Sequence, residues 1–101
     1  MKNAILLDVK FTVKPGKRDE FYAKVAEQGV ISDSQAEAGN FKYEYSASME
    51  SKDVLCLLEI WESEESLTLH GQTPHYLNFQ AMKQEYVTDV SIEKYVISEK
   101  L

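Results

Sequence analysis

The chain has 101 residues, 44% hydrophobic and 28% charged, with a formal net charge of −6. That is the size and make-up of one globular domain spanning 1–101, with enough apolar side chain for a core but little surface to spare for it, so a second copy can add to its stability. The acidic balance excludes a nucleic-acid binder, because phosphate neutralisation needs clustered Lys and Arg and only Lys14 to Arg18 are dense. The longest apolar runs, Ala4 to Leu7 and Val54 to Leu58, are strand-sized rather than bilayer-sized, so no membrane partner is expected. No charged-then-apolar leader opens the sequence, and a cytoplasmic address follows as the default expectation.

In chain order, Ile5, Leu7, Val9, Phe11 and Val13 alternate with Leu6, Asp8, Lys10 and Thr12, the period of a half-buried strand, which Pro15-Gly16 stops. Lys17 to Ala38 reads as helix, with Phe21, Tyr22, Val25 and Ala26 along one face, a bend near Gly29 and Gly39 as a left-handed cap. Asn40 to Met49 alternates again, Glu50 to Asp53 is a polar turn, and Val54 to Glu62 is the next strand, so the two make a hairpin. Ser63 caps a short helix with Glu64 and Glu65 in its first turn, and Gly71 breaks it. Thr73-Pro74 restarts a helix, on which His75, Phe79, Met82 and Tyr86 form one stripe. Asp89 to Ile97 is the last strand.

The order β-α-β-β-α-β predicts an α+β, ferredoxin-like sheet of four antiparallel strands with helices on one face. The other face is expected to show Leu6, Leu55, Leu57, Trp61 and Tyr95, too apolar a patch for an isolated monomer. A homodimer about a two-fold axis covers such a patch with its own copy. The lone cysteine, Cys56, lies in an apolar run and is expected to act as a small core hydrophobe.

There is no glycine-rich phosphate loop, nucleophile elbow or metal-binding ladder. The candidate catalytic residues are Glu59, a carboxylate interrupting an apolar strand, and His70 and His75 on either side of Gly71-Gln72-Thr73-Pro74. Burying an unpaired carboxylate is costly, so Glu59 either finds partners or is held as a base. His70 ends one helix and His75 opens the next, so helix dipoles favour the cation at the first and the neutral ring at the second, an acid–base pair if both face one pocket. Packed and surface histidines are the plain alternative. Trp61, Tyr43, Tyr45, Tyr76 and Phe79 are the candidate substrate-binding aromatics, the two strand tyrosines doubling as core residues. An iron site from His70, His75 and Glu59 would match no compact ligand motif, so no metal is expected.

Glu37-Ala38-Gly39-Asn40-Phe41-Lys42-Tyr43, Glu59-Ile60-Trp61, His70 and Thr73-Pro74-His75-Tyr76 together resemble the antibiotic biosynthesis monooxygenase domain family, over about residues 4 to 95. The resemblance implies a dimeric α+β barrel with a pocket in each protomer between sheet and helices. It also implies one of three chemistries: cofactor-independent oxygenation of phenols or quinols, haem degradation, or isomerisation of a phosphorylated sugar. The haem-degrading pattern has Asn, Trp and His where this chain has Val9, His70 and Gln80, and the polyketide-oxygenase pattern has Asn and Tyr where it has Leu57 and Leu67. Thr-Pro-His-Tyr is closer to the quinol-oxygenase and autoinducer-processing members. Three readings follow: a monooxygenase of a small phenol or quinol with no cofactor, an acid–base isomerase of a sugar-like metabolite, or a non-enzymatic small-molecule-binding dimer.

Overall fold

A computed structural model describes residues 3–98. Its strands β1 (Ala4–Val13), β2 (Asn40–Ala47), β3 (Val54–Trp61) and β4 (Val87–Ile97) form one antiparallel sheet in the order β2-β3-β1-β4. The helices are α1 (Arg18–Glu27), α2 (Val30–Gln35), α3 (Glu64–His70) and α4 (Pro74–Tyr86). The expected ferredoxin-like α+β architecture is present, with the stretch read as one bent helix divided at Gln28-Gly29 into α1 and α2.

Local chemistry accounts for the helix starts that matter to the site. Ser63 Oγ accepts from Ser66 N at 3.2 Å at the head of α3, and Thr73 Oγ1 accepts from Tyr76 N at 3.2 Å at the head of α4, where Pro74 occupies the first turn. The Thr73 hydroxyl also donates to His70 O at 2.8 Å. One side chain therefore ties the end of α3 to the start of α4 and fixes the spacing of the two histidines.

The core lies between the sheet and α1, α2 and α4. Phe11 of β1, Phe21 of α1 and Phe79 of α4 meet with ring centroids 5.6–6.1 Å apart, and Tyr86 stacks near Phe21 at 5.5 Å. The stripe on α4 buries Phe79, Met82 and Tyr86 as its spacing predicts.

The faces of β3 differ from the expectation. Leu55, Leu57 and Trp61 point under the helices and are buried, because β3 pairs with β1 in the register Phe11↔Leu55, Val9↔Leu57 and Ile5↔Trp61. The row expected to hold Leu6 with Trp61 instead holds Leu6, Ile60 and Tyr95. The open face carries Leu6, Cys56, Leu58, Ile60 and Tyr95, interspersed with Asp8, Lys10 and Glu93. Cys56 is half-buried on that open face rather than in the core. The patch stays apolar, so the reason to cover it survives the change of residues. Strand β4 runs beyond the helices at the sheet's edge, leaving Ile92 60% and Val96 66% exposed on the helix side.

Candidate active site

His70 is the last residue of α3, His75 the second of α4, and Glu37 lies in the connection between α2 and β2. Glu37 Oε2 stands 2.5 Å from His70 Nδ1 and 2.7 Å from His75 Nε2, and all three side chains are largely buried. A carboxylate oxygen only accepts, so each facing ring nitrogen carries a hydrogen. That network assigns the tautomers and leaves His70 Nε2 and His75 Nδ1 as the nitrogens turned away from Glu37.

The His70 ring is enclosed by aromatics: Trp61 at 4.6 Å between centroids, Tyr76 at 5.1 Å and Tyr43 at 5.8 Å. On its open side is a cavity of about 240 Å³. Of the residues expected at the site, Tyr43, Glu59, His70, Tyr76 and Phe79 line it, over an apolar floor of Leu7, Val9 and Leu57. Lys83 is part of the wall, and Val90 and Ile92 of β4 form its exposed side. His75, Trp61 and Tyr45 do not line the cavity. Each touches a residue that does or its partner: His75 through Glu37, Trp61 through Glu59 and His70, and Tyr45 through a 3.0 Å hydroxyl contact with Tyr43.

Glu59 faces the helices and not the open face of the sheet. It accepts from Trp61 Nε1 at 3.0 Å. Burial pushes its carboxyl above the usual range, opposed by the Trp61 hydrogen bond and by His70; Glu37 adds to the rise and Lys83 works against it. Burial likewise raises the Tyr43 phenol and keeps its proton on. Desolvation lowers the Lys83 ammonium, with the Glu59 charge opposing, and Lys83 Nζ sits 5.8 Å and 5.6 Å from the centres of the Phe11 and Phe79 rings.

Glu37 is the residue the sequence reading left out of the site. It reads as one surface acid among many, and its only signal is its place in the Glu-x-Gly-x-x-x-Tyr stretch. The donor atoms of Glu37, His70 and His75 all lie within 4.8 Å of one another, a set able to hold a metal ion, and Glu59 is not part of it.

A buried histidine–carboxylate group beside an aromatic cavity, on a ferredoxin-like sheet, occurs here in a chain whose residues 4–82 match the Antibiotic biosynthesis monooxygenase family. The chain belongs to that family. A curated relative, "Putative monooxygenase YcnE" of Bacillus subtilis (strain 168), is 31% identical over 84 residues, covering 83% of this chain and 86% of the relative. Among solved structures, PA3566 from Pseudomonas aeruginosa superposes with a TM-score of 0.85 over 100% of this chain and 98% of its own, at 21% identity, a likeness of fold. Rv0793 from Mycobacterium tuberculosis follows with a TM-score of 0.78 at 26% identity, covering 96% of this chain and 93% of its own. Membership of this family, with a relative named as a monooxygenase, supports a monooxygenase activity. No helix among the described residues is long and apolar enough to cross a membrane.

The raised Glu59 carboxyl gives this family member a pH signature. A folded value above the unfolded 4.5 means that the folded state holds the proton more tightly. The associated stability is therefore complete below pH 4.5 and is lost as pH rises through the folded value. Glu59→Gln keeps an acceptor for Trp61 Nε1 without the charge. Urea unfolding should show the variant gaining on wild type between pH 4 and pH 8; a gap that stays constant would mean the buried charge is fully compensated.

Proposed function

We propose that the chain oxygenates a small phenol or quinol directly with molecular oxygen, using no cofactor, and that His70 Nε2 is the base. The observation behind this reading is the Glu37–His70 pair. Its carboxylate holds the ring by Nδ1 and leaves Nε2 outside that contact, and the ring lines a cavity that Tyr43, Tyr76 and Phe79 also wall.

His70 takes the phenolic proton, and the Glu37 carboxylate stabilises the imidazolium that forms. The Lys83 ammonium, held in the cavity wall, offsets the phenolate charge. The electron-rich ring carbon then bonds to oxygen, the ring hydrogen at that carbon leaves as a proton, and the O–O bond breaks. One oxygen atom remains as a carbonyl and the other departs as water. The substrate supplies every electron, as in phenol plus O₂ giving quinone plus water. A cavity of about 240 Å³ suits a compound of one or two rings.

We also propose that the protein works as a homodimer through the open sheet face around Leu6, Leu58, Ile60 and Tyr95. A monomer by equilibrium sedimentation at micromolar concentration would reject that.

A second reading has support in the cavity. Glu59, with its raised carboxyl, and His70 are an acid and a base on one cavity, the pair needed to move a proton between adjacent carbons of a hydroxy-carbonyl compound. One experiment separates the two. A panel of hydroquinones and naphthols is incubated with the protein in air and under argon, with oxygen uptake recorded. The oxygenase reading expects uptake equal to substrate consumed and no turnover under argon. Turnover of a hydroxy-carbonyl compound that persists under argon would replace it with the isomerase.

A further inference from the structure

We propose that Glu37, His70 and His75 form a binding site for a divalent first-row transition ion of the zinc type. The chain contains two histidines, and both are here, brought from the end of α3 and the start of α4 to the same oxygen of one carboxylate. Two imidazoles and one carboxylate are a donor set that suits zinc, cobalt and non-haem iron. Magnesium and calcium, which require oxygen ligands, suit it poorly.

The geometry needs a modest adjustment. Zinc held at about 2.0–2.1 Å from each donor in a tetrahedral arrangement sets neighbouring donors about 3.3 Å apart, against the 2.5 and 2.7 Å of the present hydrogen bonds. The carboxylate therefore withdraws by about 0.6–0.8 Å. The donors, which all lie within 4.8 Å of one another, close by at most about 1.5 Å, a shift within reach of side-chain rotation. Thr73 already fixes the two rings' backbones, so the site is pre-organised and not assembled from mobile parts. Three largely buried side chains also present little water to be displaced. The charge balance agrees, since the Glu37 carboxylate supplies the negative ligand that a dication favours beside two imidazole donors.

Metal binding would move the ring hydrogens, not remove them. The ion takes the places of the hydrogens on His70 Nδ1 and His75 Nε2, and the rings carry them on His70 Nε2 and His75 Nδ1 instead. His70 Nε2 then donates and cannot act as a base. On the oxygenase reading, the loaded protein is accordingly the inactive form; that corollary rests on the reading, whereas binding itself does not.

The test uses tag-free, chelator-treated full chain titrated with Co²⁺ by visible absorption and with Zn²⁺ by calorimetry, alongside Glu37→Gln and His75→Gln. Both variants are near-isosteric, and circular dichroism and thermal melts check that they fold. The expected result is a single equivalent bound, a Co²⁺ spectrum of low coordination number, and affinity at least about tenfold weaker in each variant. Excess Mg²⁺ should leave the spectrum unchanged. No stoichiometric binding, equal affinity in a folded variant, or displacement by Mg²⁺ would each overturn the site. If Zn²⁺ binds as described and an active wild-type preparation keeps its full rate when loaded, the metal site stands and His70 is not the base.

Discussion

Replacing Glu37 by Gln should lower kcat by roughly 10- to 100-fold while leaving KM and the melting temperature close to wild type. The amide is nearly isosteric, and its carbonyl oxygen can still accept from His70 Nδ1 and His75 Nε2. What disappears is the negative charge that stabilises an imidazolium once His70 has taken a proton. That charge matters only as the transition state forms, so its loss falls on kcat. Glu37→Ala behaves differently. It leaves two largely buried ring N–H groups without an acceptor, at about 2–5 kcal/mol, and the protein itself weakens. Steady-state kinetics with an accepted quinol, paired with thermal melts of both variants, would separate the two effects. An unchanged kcat in the Gln variant would make Glu37 a purely structural acceptor and remove the reason for choosing His70 as the base.

Gly39→Ala should be among the most destabilising single-methyl additions in the chain. Gly39 holds φ at +86°, and a Cβ there would lie 2.6 Å from Ser66 Oγ and 2.7 Å from Ser66 Cβ. The backbone conformation costs an L-residue about 1–2 kcal/mol, and forcing Ser66 aside adds roughly 1–3 kcal/mol. Ser66 cannot yield freely, because its hydroxyl pairs with Ser63 Oγ at 2.9 Å and its N–H is the donor of the α3 cap. Together the two costs lower the melting temperature by roughly 10–25 °C for a domain of this size. Gly16→Ala is the control: its φ is +76°, but nothing lies within 4 Å of the added carbon, so only the backbone cost applies. Scanning calorimetry of the pair should give a clearly larger drop for the position 39 variant. Equal drops would show that α3 moves to accommodate the methyl. Glu37 is two residues away, so a displaced α3 should also loosen its hold on His70.

Much of the fold was legible because its signals are local. Ser63 and Thr73-Pro74 announce helix starts by their own chemistry, and the α4 stripe states which side is buried. The phase of β3 was not legible for the converse reason. Val54, Leu55, Cys56, Leu57, Leu58 and Ile60 are apolar on both faces, so alternation carries no information about which set meets the helices, and only pairing with β1 decides it. The site was half legible. Glu59 and the histidines stand out as polar groups in apolar surroundings, and His70 and Glu59 do share a cavity. Glu37 does not stand out, since it comes from a connection 33 residues before His70 and reaches the site only by tertiary folding.

Cys56, the chain's single thiol, stands mid-strand on the open face of the sheet, opposite the face that builds the cavity. The rate at which a small thiol reagent reacts with the unaltered sequence therefore reads the cover of that face directly. A second copy seated there should slow the reaction, and dilution that separates the copies should restore it.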